Sequence, residues 1–509
     1  MTKNPQQRLL TLTARKLDID THQELTIYLH QDSYVCHSEG FSALSRVRVN
    51  SDHHSIIATL HIVRGSQLTP YEIGFSDSAW QHMQLADGDQ VWVSHPKPLE
   101  SLSYLRAKVF GHKLNEEQIR TIVNDVVAGR YADVHLAAFI TACGDRKLDT
   151  DEIIALTRAM VDSGSRLNWQ RDIIVDKHCV GGLPGNRTTP IVVSILASLG
   201  LTMPKTSSRA ITSPAGTADT METLTEVSLS LSQMQGVVRR HGGCLAWGGS
   251  VQLSPADDLL IRVERALDID SEGQLIASVL SKKIAAGATH VLIDIPVGPT
   301  AKVRDQQSAK RLAEQLRTVA QALGMRLRVL FSDGSQPVGR GIGPALEAQD
   351  ILAVLKNSPQ APQDLKERAI LLAGELLEMS EAAAAGKGQQ QARQALEGGQ
   401  AWQCFQAICQ AQGGLRQPPV ANYRYNLQAD CAGSVVAIDN RLLSQAAKLA
   451  GAPVDKAAGI VIYKHLGERV KPGETLLTLH AESPGELDYA VEFLNAHPEL
   501  IQLQPDPKS

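Results

Sequence analysis

Residues 173–199 run from the β-branched stretch Ile173-Ile174-Val175, through the string Asp176-Lys-His-Cys-Val-Gly-Gly-Leu-Pro-Gly-Asn-Arg-Thr-Thr189, into the helical apolar pattern of 190–199. A strand, a glycine-rich loop and a helix start in that order form half of a βαβ unit. Further β-branched runs at 290–295 and 327–331 alternate with long helical patterns, which predicts an α/β domain with a mainly parallel sheet over 171–415. Such a loop aims backbone N–H groups and the positive end of a helix at one point, and phosphate is the natural guest there. The spacing matches neither G-x-x-x-x-G-K-[ST] nor G-x-G-x-x-G, so neither an NTPase nor a dinucleotide fingerprint is met.

With 509 residues, 43% of them hydrophobic, the chain exceeds what one core organises, and about two to four domains are expected. Short alternating stretches at 25–29, 47–49, 56–63 and 90–93 predict an N-terminal β domain over 1–99. Asn115 with Gln118, and Asp149 with Glu152, place cap acceptors three residues before a Gln or Glu. A helical domain is therefore expected over 100–170, with a later helical contribution near 256–285. The stretch 381–400, rich in Ala, Gln and Gly, reads as an exposed helix or loose connection without chemistry. Strand-like segments at 434–438, 459–463 and 474–480, with the turn Gly467-Glu-Arg-Val-Lys-Pro-Gly473, predict a C-terminal α+β barrel-like domain over 416–509. The fold class is α/β multidomain.

A formal net charge of -4 with 20% charged residues argues against nucleic acid or an anionic membrane surface as the main partner, so any anionic ligand must be caught locally. Cys36, Cys143, Cys179, Cys244, Cys404, Cys409 and Cys431 are scattered without a C-x-x-C, which suggests neither a disulfide framework nor a zinc site. No run is apolar for long enough to span a bilayer. A cytoplasmic protein without metal or other cofactor is expected. His53-His54 reads as a surface turn, and Gly339-Arg-Gly-Ile-Gly343 as a close-packed turn lining the same cleft as the first loop.

Two further segments carry chemistry. Lys205-Thr-Ser-Ser-Arg-Ala-Ile-Thr-Ser-Pro-Ala-Gly-Thr-Ala-Asp219 surrounds one arginine with hydroxyls, donors of little bulk suited to phosphate oxygens or a ribose. In Ala277-Ser-Val-Leu-Ser-Lys-Lys283, Ser278 and Lys282 lie one helical turn apart and share a face, so a hydroxyl and an ammonium could grip one planar ligand.

Asp176-Lys177-His178, the Gly181-Gly182 turn, the loop from Ser208-Arg209 to Gly216-Thr217 and Ser278-x-x-x-Lys282 together resemble the successive signatures of the thymidine phosphorylase and pyrimidine nucleoside phosphorylase family. The resemblance runs from about residue 102 to the C-terminus. The β domain ahead of it is similar to that of a longer branch that includes archaeal AMP phosphorylases. Membership implies a helical domain and a larger α/β domain with the active site in the cleft between them, and a homodimer or larger homo-oligomer. It also implies reversible phosphorolysis of thymidine or another pyrimidine nucleoside.

Carried over residue by residue, the resemblance implies phosphate ligands at Lys177, Thr189, Ser207 and Thr217, and base-binding residues at His178, Ser278 and Lys282. The AMP phosphorylase branch implies nucleotide binding at Gly182, Ser208, Arg209, Ala210, Ile211, Thr212, Ser213, Thr217, Ser278 and Lys302, with Asp270 as proton donor. Inorganic phosphate and a nucleoside or nucleotide are the implied partners, and His178 either donates a hydrogen bond to the leaving base or delivers a proton outright.

This chain departs from the short enzymes in having Cys179 where they have Ser, in gaining Pro184, and in placing Val263, with Arg262 and Arg265 nearby, where they place an arginine against the pyrimidine. The alternative activity is an AMP phosphorylase giving free base and ribose 1,5-bisphosphate. Two other readings are a phosphoribosyltransferase of the anthranilate type, which shares the fold and a similar arginine loop, and a non-catalytic nucleotide-binding protein. The Lys177-His178 pair argues against the first, and the joint retention of Lys177, His178, Arg209 and Lys282 against the second.

Overall fold

The computed structural model describes residues 11–505 except His22, Gln23, Asp145, Arg146, Ile211, Thr212, Asp268 and Asp270. It divides into two compact units, one formed by the chain up to Ala159 with Pro255–Gly273, the other by Met160–Ser254 with the chain from Gln274 onward. The segment 256–285, expected to join the helical domain, is thus shared between the units.

In the first unit, strands β1 (Thr11–Lys16), β2 (Thr26–His30), β3 (Arg46–Asn50), β4 (Ser55–Val63), β5 (Glu72–Phe75) and β6 (Gln90–Ser94) close into a barrel in the order β1-β5-β2-β4-β3-β6. The alternation seen in sequence is the barrel's inside and outside: Val47 and Val49, Ala58 and Leu60, and Val91 and Val93 are buried in its core. The helices Ser101–Val109, Glu116–Val127, Asp133–Ala142, Thr150–Asp162 and Pro255–Leu267 follow.

Both expected capping boxes form. Asn115 Oδ1 accepts from Gln118 N at 2.9 Å while Gln118 Oε1 accepts from Asn115 N at 3.0 Å, and Asp149 and Glu152 exchange the same pair of bonds at 2.9 and 3.1 Å. Glu152 also receives the buried Lys108 ammonium at 2.7 and 2.8 Å and the Leu114 N–H at 2.9 Å.

The second unit is built on five strands, β7 (Val175–Cys179), β8 (Met203–Ser207), β9 (Gly243–Trp247), β10 (His290–Val297) and β11 (Arg326–Asp333). β10 pairs in parallel with β7 and with β11, β8 pairs in parallel with β9, and one parallel bridge between Ile174 and Thr202 sets β7 beside β8. β10 is buried along almost its whole length, as a strand covered on both faces must be. The helices Thr189–Ser198, Gln363–Met379 and Gln400–Ala411 supply Ile191, Ile195, Leu372, Leu376, Phe405 and Ile408 to the core on this sheet. The stretch expected to be exposed or loose forms the helix Gly388–Glu397, with Ala392, Ala395 and Leu396 buried in that core. Ala392 and Ala395 make much of the contact beside Leu396, so the Ala-rich composition alone hid it.

The tail is not one closed barrel. With β12 (Gly341–Ile342), β13 (Tyr423–Gln428), β14 (Gly433–Ile438), β15 (Gly459–Ile462), β16 (Arg469–Val470), β17 (Thr475–Ala481) and β18 (Ile501–Pro505), it forms two antiparallel sheets, β12-β15-β17-β13 and β16-β14-β18. Leu443, Ala446 and Ala447 of the helix Asn440–Leu449, and Ala490 and Leu494 of Pro484–Ala496, pack into the core of these sheets, so helices and not further strands cover their apolar faces. The expected turn around Gly339–Gly343 is in part strand β12, paired with Ile460 and Val461. No helix among the described residues is long and apolar enough to cross a membrane.

Because Glu152 serves a buried ammonium and two backbone N–H groups, Glu152→Ala should destabilise the first unit by about 3–5 kcal/mol, measurable by urea unfolding, whereas Glu152→Gln, which keeps the cap, should cost less.

Candidate active site

Successive side chains of a strand point to opposite faces, so β7 sends Asp176 and His178 one way and Lys177 and Cys179 the other. On the first face, the Asp176 carboxylate lies 3.0 Å from the Lys205 ammonium of β8 and 2.8 Å from that of Lys283, on the helix Glu272–Ala285. All three side chains are buried. Burial pushes the Asp176 carboxyl up, but the two ammoniums outweigh it and hold it below the usual range, while burial and the neighbouring Lys205 charge pull the Lys283 ammonium down. Lys283 turns inward from its helix; Ser278 and Lys282 lie on a partly exposed side.

His178 sits among these charges. Burial, and then the ammoniums of Lys283, Lys205, Lys282 and Lys177, drive its pKa well below the ordinary imidazole value. Burial and the neighbouring ammoniums both disfavour a proton on the ring, so His178 favours the neutral imidazole. It can donate through one ring N–H but holds no spare proton to deliver.

On the other face of β7, Lys177 is almost wholly buried, and its Nζ donates to Thr188 Oγ1 at 2.5 Å. Burial lowers its pKa, with Arg187 and Arg368 adding to the effect and Cys179 and Asp294 opposing it. Cys179 accepts from Asn186 Nδ2 at 3.3 Å, and burial with the nearby Asp294 pushes its thiol up to about 12, so it is no thiolate. Thr189 opens the Thr189–Ser198 helix, where N–H groups and the helix dipole favour an anion. Gly182 has φ +75, and a Cβ there would come within 2.2 Å of Lys302 N, so only glycine lets the loop lie against that backbone.

The arginine loop folds back on itself. A Cβ on Gly216 would meet Ser208 O at 2.5 Å, which brings the two arms together. Asp219 ties them by accepting the N–H of Ala210 at 2.6 Å and of Gly216 at 2.9 Å. Arg209 makes a bidentate pair with Glu222 at 2.8 and 2.7 Å and lies 4.9 Å from the Trp247 ring centroid. The guanidinium expected to serve phosphate oxygens or a ribose is here paired with carboxylates, as is the Ala210 N–H. Ser208 and Ser213 are exposed, and Ser207 Oγ at the end of β8 has no hydrogen-bond partner among the described residues.

Lys177, His178, Thr189, Ser207, Thr217, Ser278 and Lys282 all belong to the second unit, and the first four stand at the C-terminal ends of β7 and β8 or on the loop and helix start after β7. Asp270, Ile211 and Thr212, and the side chain of Arg265, lie outside the described residues. Arg262 pairs with Asp133 at 2.9 and 2.5 Å, and Val263 is buried, both within the first unit. Sequence reasoning missed Lys283, Asn186, Arg187, Asp294 and Glu347. A signal existed for Lys283 alone, because it continues the buried positions Ile276 and Leu280 at helical spacing.

Residues 102–164 match the helical bundle domain of a glycosyl transferase family, 171–402 its a/b domain, and 434–500 the pyrimidine nucleoside phosphorylase C-terminal domain. A Hahella chejuensis protein named "Putative thymidine phosphorylase" is 55% identical over 98% of this chain and 99% of its own length. Proteins of the same name from Polaromonas sp. and Legionella pneumophila are each 56% identical over 97% of this chain and 97% and 96% of theirs. The chain belongs to the thymidine phosphorylase family. It is an enzyme of the pentosyltransferase class, a nucleoside phosphorylase. Among solved structures, an anthranilate phosphoribosyltransferase from Thermus thermophilus shares the fold, with a TM-score of 0.51 at 20% identity over 60% of this chain and 98% of that one.

The depressed His178 pKa has a sign that can be checked. As pH falls, the unfolded chain takes up the imidazole proton near pH ~6.5 while the folded one refuses it, so stability present above that value is lost toward the folded pKa. Wild type should lose more unfolding free energy between about pH 6.5 and 5 than His178→Gln, as followed by denaturant titration.

Proposed function

We propose that this chain catalyses reversible phosphorolysis of thymidine, giving thymine and 2-deoxy-α-D-ribose 1-phosphate. The observation that carries the reading is the division of labour at β7. At the C-terminal end of β7, a neutral imidazole with the Lys282 ammonium near enough to act on it suits a planar base, and a buried ammonium beside a helix N-terminus suits a phosphate dianion.

Lys177, Thr189, Ser207 and Thr217 are the phosphate ligands in this reading. An oxygen of hydrogen phosphate attacks C1′ as the C1′–N1 bond breaks. The electron pair stays on the pyrimidine and spreads onto its carbonyl oxygens. The base then takes up the proton that hydrogen phosphate carried, which balances the step. His178 donates its single ring N–H to a carbonyl as negative charge develops, and Lys282 and Ser278 hold the opposite edge. Donors fixed in place before the reaction act most strongly on such developing charge, because nothing reorganises as it forms. Proton delivery by His178 itself is the weaker version, since its proton is already lost at neutral pH.

The contact between Gly182 and the Lys302 backbone favours a second reading. Both positions correspond to nucleotide-binding residues of the AMP phosphorylase branch, and together they suit a substrate with a second phosphate. Arg209 argues the other way, since its guanidinium is already paired.

Incubating the pure protein with phosphate and a panel of nucleosides and monophosphates, with released base measured by chromatography, separates the readings. Thymine from thymidine is expected. Release from AMP or CMP but not thymidine selects the second reading, and no base from any substrate would sink both. Within the first reading, His178→Ala should lower kcat by roughly 10²–10³-fold with little change in phosphate affinity, whereas Lys177→Ala should chiefly weaken phosphate. Equal losses of both quantities from either change would contradict these roles.

A further inference from the structure

Arg187, near the end of the glycine-rich loop and two residues before the Thr189–Ser198 helix, joins three elements. Its Nε donates to Glu347 Oε2 at 2.6 Å, its Nη1 to Thr217 Oγ1 at 3.0 Å, and its Nη2 to Ala215 O at 2.7 Å. Glu347, on the first turn of the helix Pro344–Leu355, is 1% exposed, and the same oxygen accepts from Thr220 Oγ1 at 2.8 Å. Thr217 and Thr220 both lie on the helix Thr217–Glu222. The guanidinium thus couples the first loop to the arginine loop, and a buried carboxylate fixes its orientation.

The bond to Thr217 has a chemical consequence. A threonine hydroxyl has one proton to donate, and the unprotonated oxygens of hydrogen phosphate can only accept. While Oγ1 accepts from Arg187, its proton is free to point away from the guanidinium. Without that bond, nothing fixes the hydroxyl rotor and it can meet phosphate with a lone pair instead of its proton. The guanidinium is neutralised by Glu347, so it adds orientation more than charge to what Lys177 supplies.

We propose that Arg187 is a positioning residue of the phosphate site, held by Glu347 and acting through Thr217, whose single hydroxyl proton it directs at the bound phosphate. The proposal rests on Thr217 being a phosphate ligand, as in the phosphorolysis reading.

The test is calorimetric titration of the full chain with inorganic phosphate, which needs no turnover. Arg187→Lys keeps the charge but loses the fork, and Thr217→Val loses the hydroxyl. Each should weaken phosphate binding by roughly tenfold, the size of one lost hydrogen bond to a charged group. The double variant should bind no more weakly than Thr217→Val alone, because Arg187 acts through that hydroxyl, and Thr217→Ser should bind like wild type. A purely architectural role would instead give additive losses, and would raise KM for the nucleoside along with KM for phosphate. Unchanged phosphate affinity in Arg187→Lys, or additivity in the double variant, overturns the proposal. If Arg187→Lys fails to fold, Glu347→Gln decides, with tenfold weakening expected and unchanged affinity overturning. Failure of wild type to release base from any nucleoside would sink the phosphorolysis reading, while the phosphate titrations would still decide this one.

Discussion

Asp176, buried between the ammoniums of Lys205 and Lys283, is the interaction on which the site depends. It ties β7 to β8, which are otherwise joined by a single backbone bridge, and fastens both to the helix carrying Ser278 and Lys282. Three charges taken out of water are costly, and such a cluster persists only where each charge is met by its neighbours. Burial first, and the ammoniums of this cluster next, hold the His178 pKa below its ordinary value. The same cluster therefore sets the geometry of the strand ends and adds to what fixes the protonation state of the residue at their tip.

The strand's alternation separates the chemistry. The pleat sends the His178 imidazole and the Lys177 ammonium to opposite sides of the strand, yet the ammonium still adds to the lowering of the His178 pKa. On the phosphate side, cations are matched to threonine hydroxyls, Lys177 to Thr188 and Arg187 to Thr217. Each hydroxyl oxygen is occupied by a cationic donor, which leaves its proton for another acceptor. Arg209, the arginine most conspicuous in sequence, is bound by Glu222 and Asp219 and braces its loop.

Much of the local structure was legible because it depends on neighbours in sequence. The two capping boxes follow from a cap residue and its partner three positions on, and the strand, glycine loop and helix of 173–199 follow from a change in apolar period within one stretch. The burial of the helix Gly388–Glu397 was not legible, since Ala392 and Ala395, which share the contact with Leu396, are not told by composition from a solvated face. The C-terminal domain reads in sequence as α+β and barrel-like; its strands form two separate sheets, a division that period-2 patterning does not specify.

By itself, the sequence determined the βα unit, the anion-attracting loop and helix start, and the residue types gathered at the strand ends, since periodicity and spacing act over a few residues. Only the tertiary structure decided that Lys283 turns inward to Asp176, that Arg187 finds Glu347 and Thr217, and that Arg209 is committed to carboxylates. Lys283 meets Asp176, and Arg187 meets Glu347, only once the chain is packed. A charge's partner and its degree of burial, and with them its protonation and its freedom to meet a ligand, are properties of that packing and not of the residue.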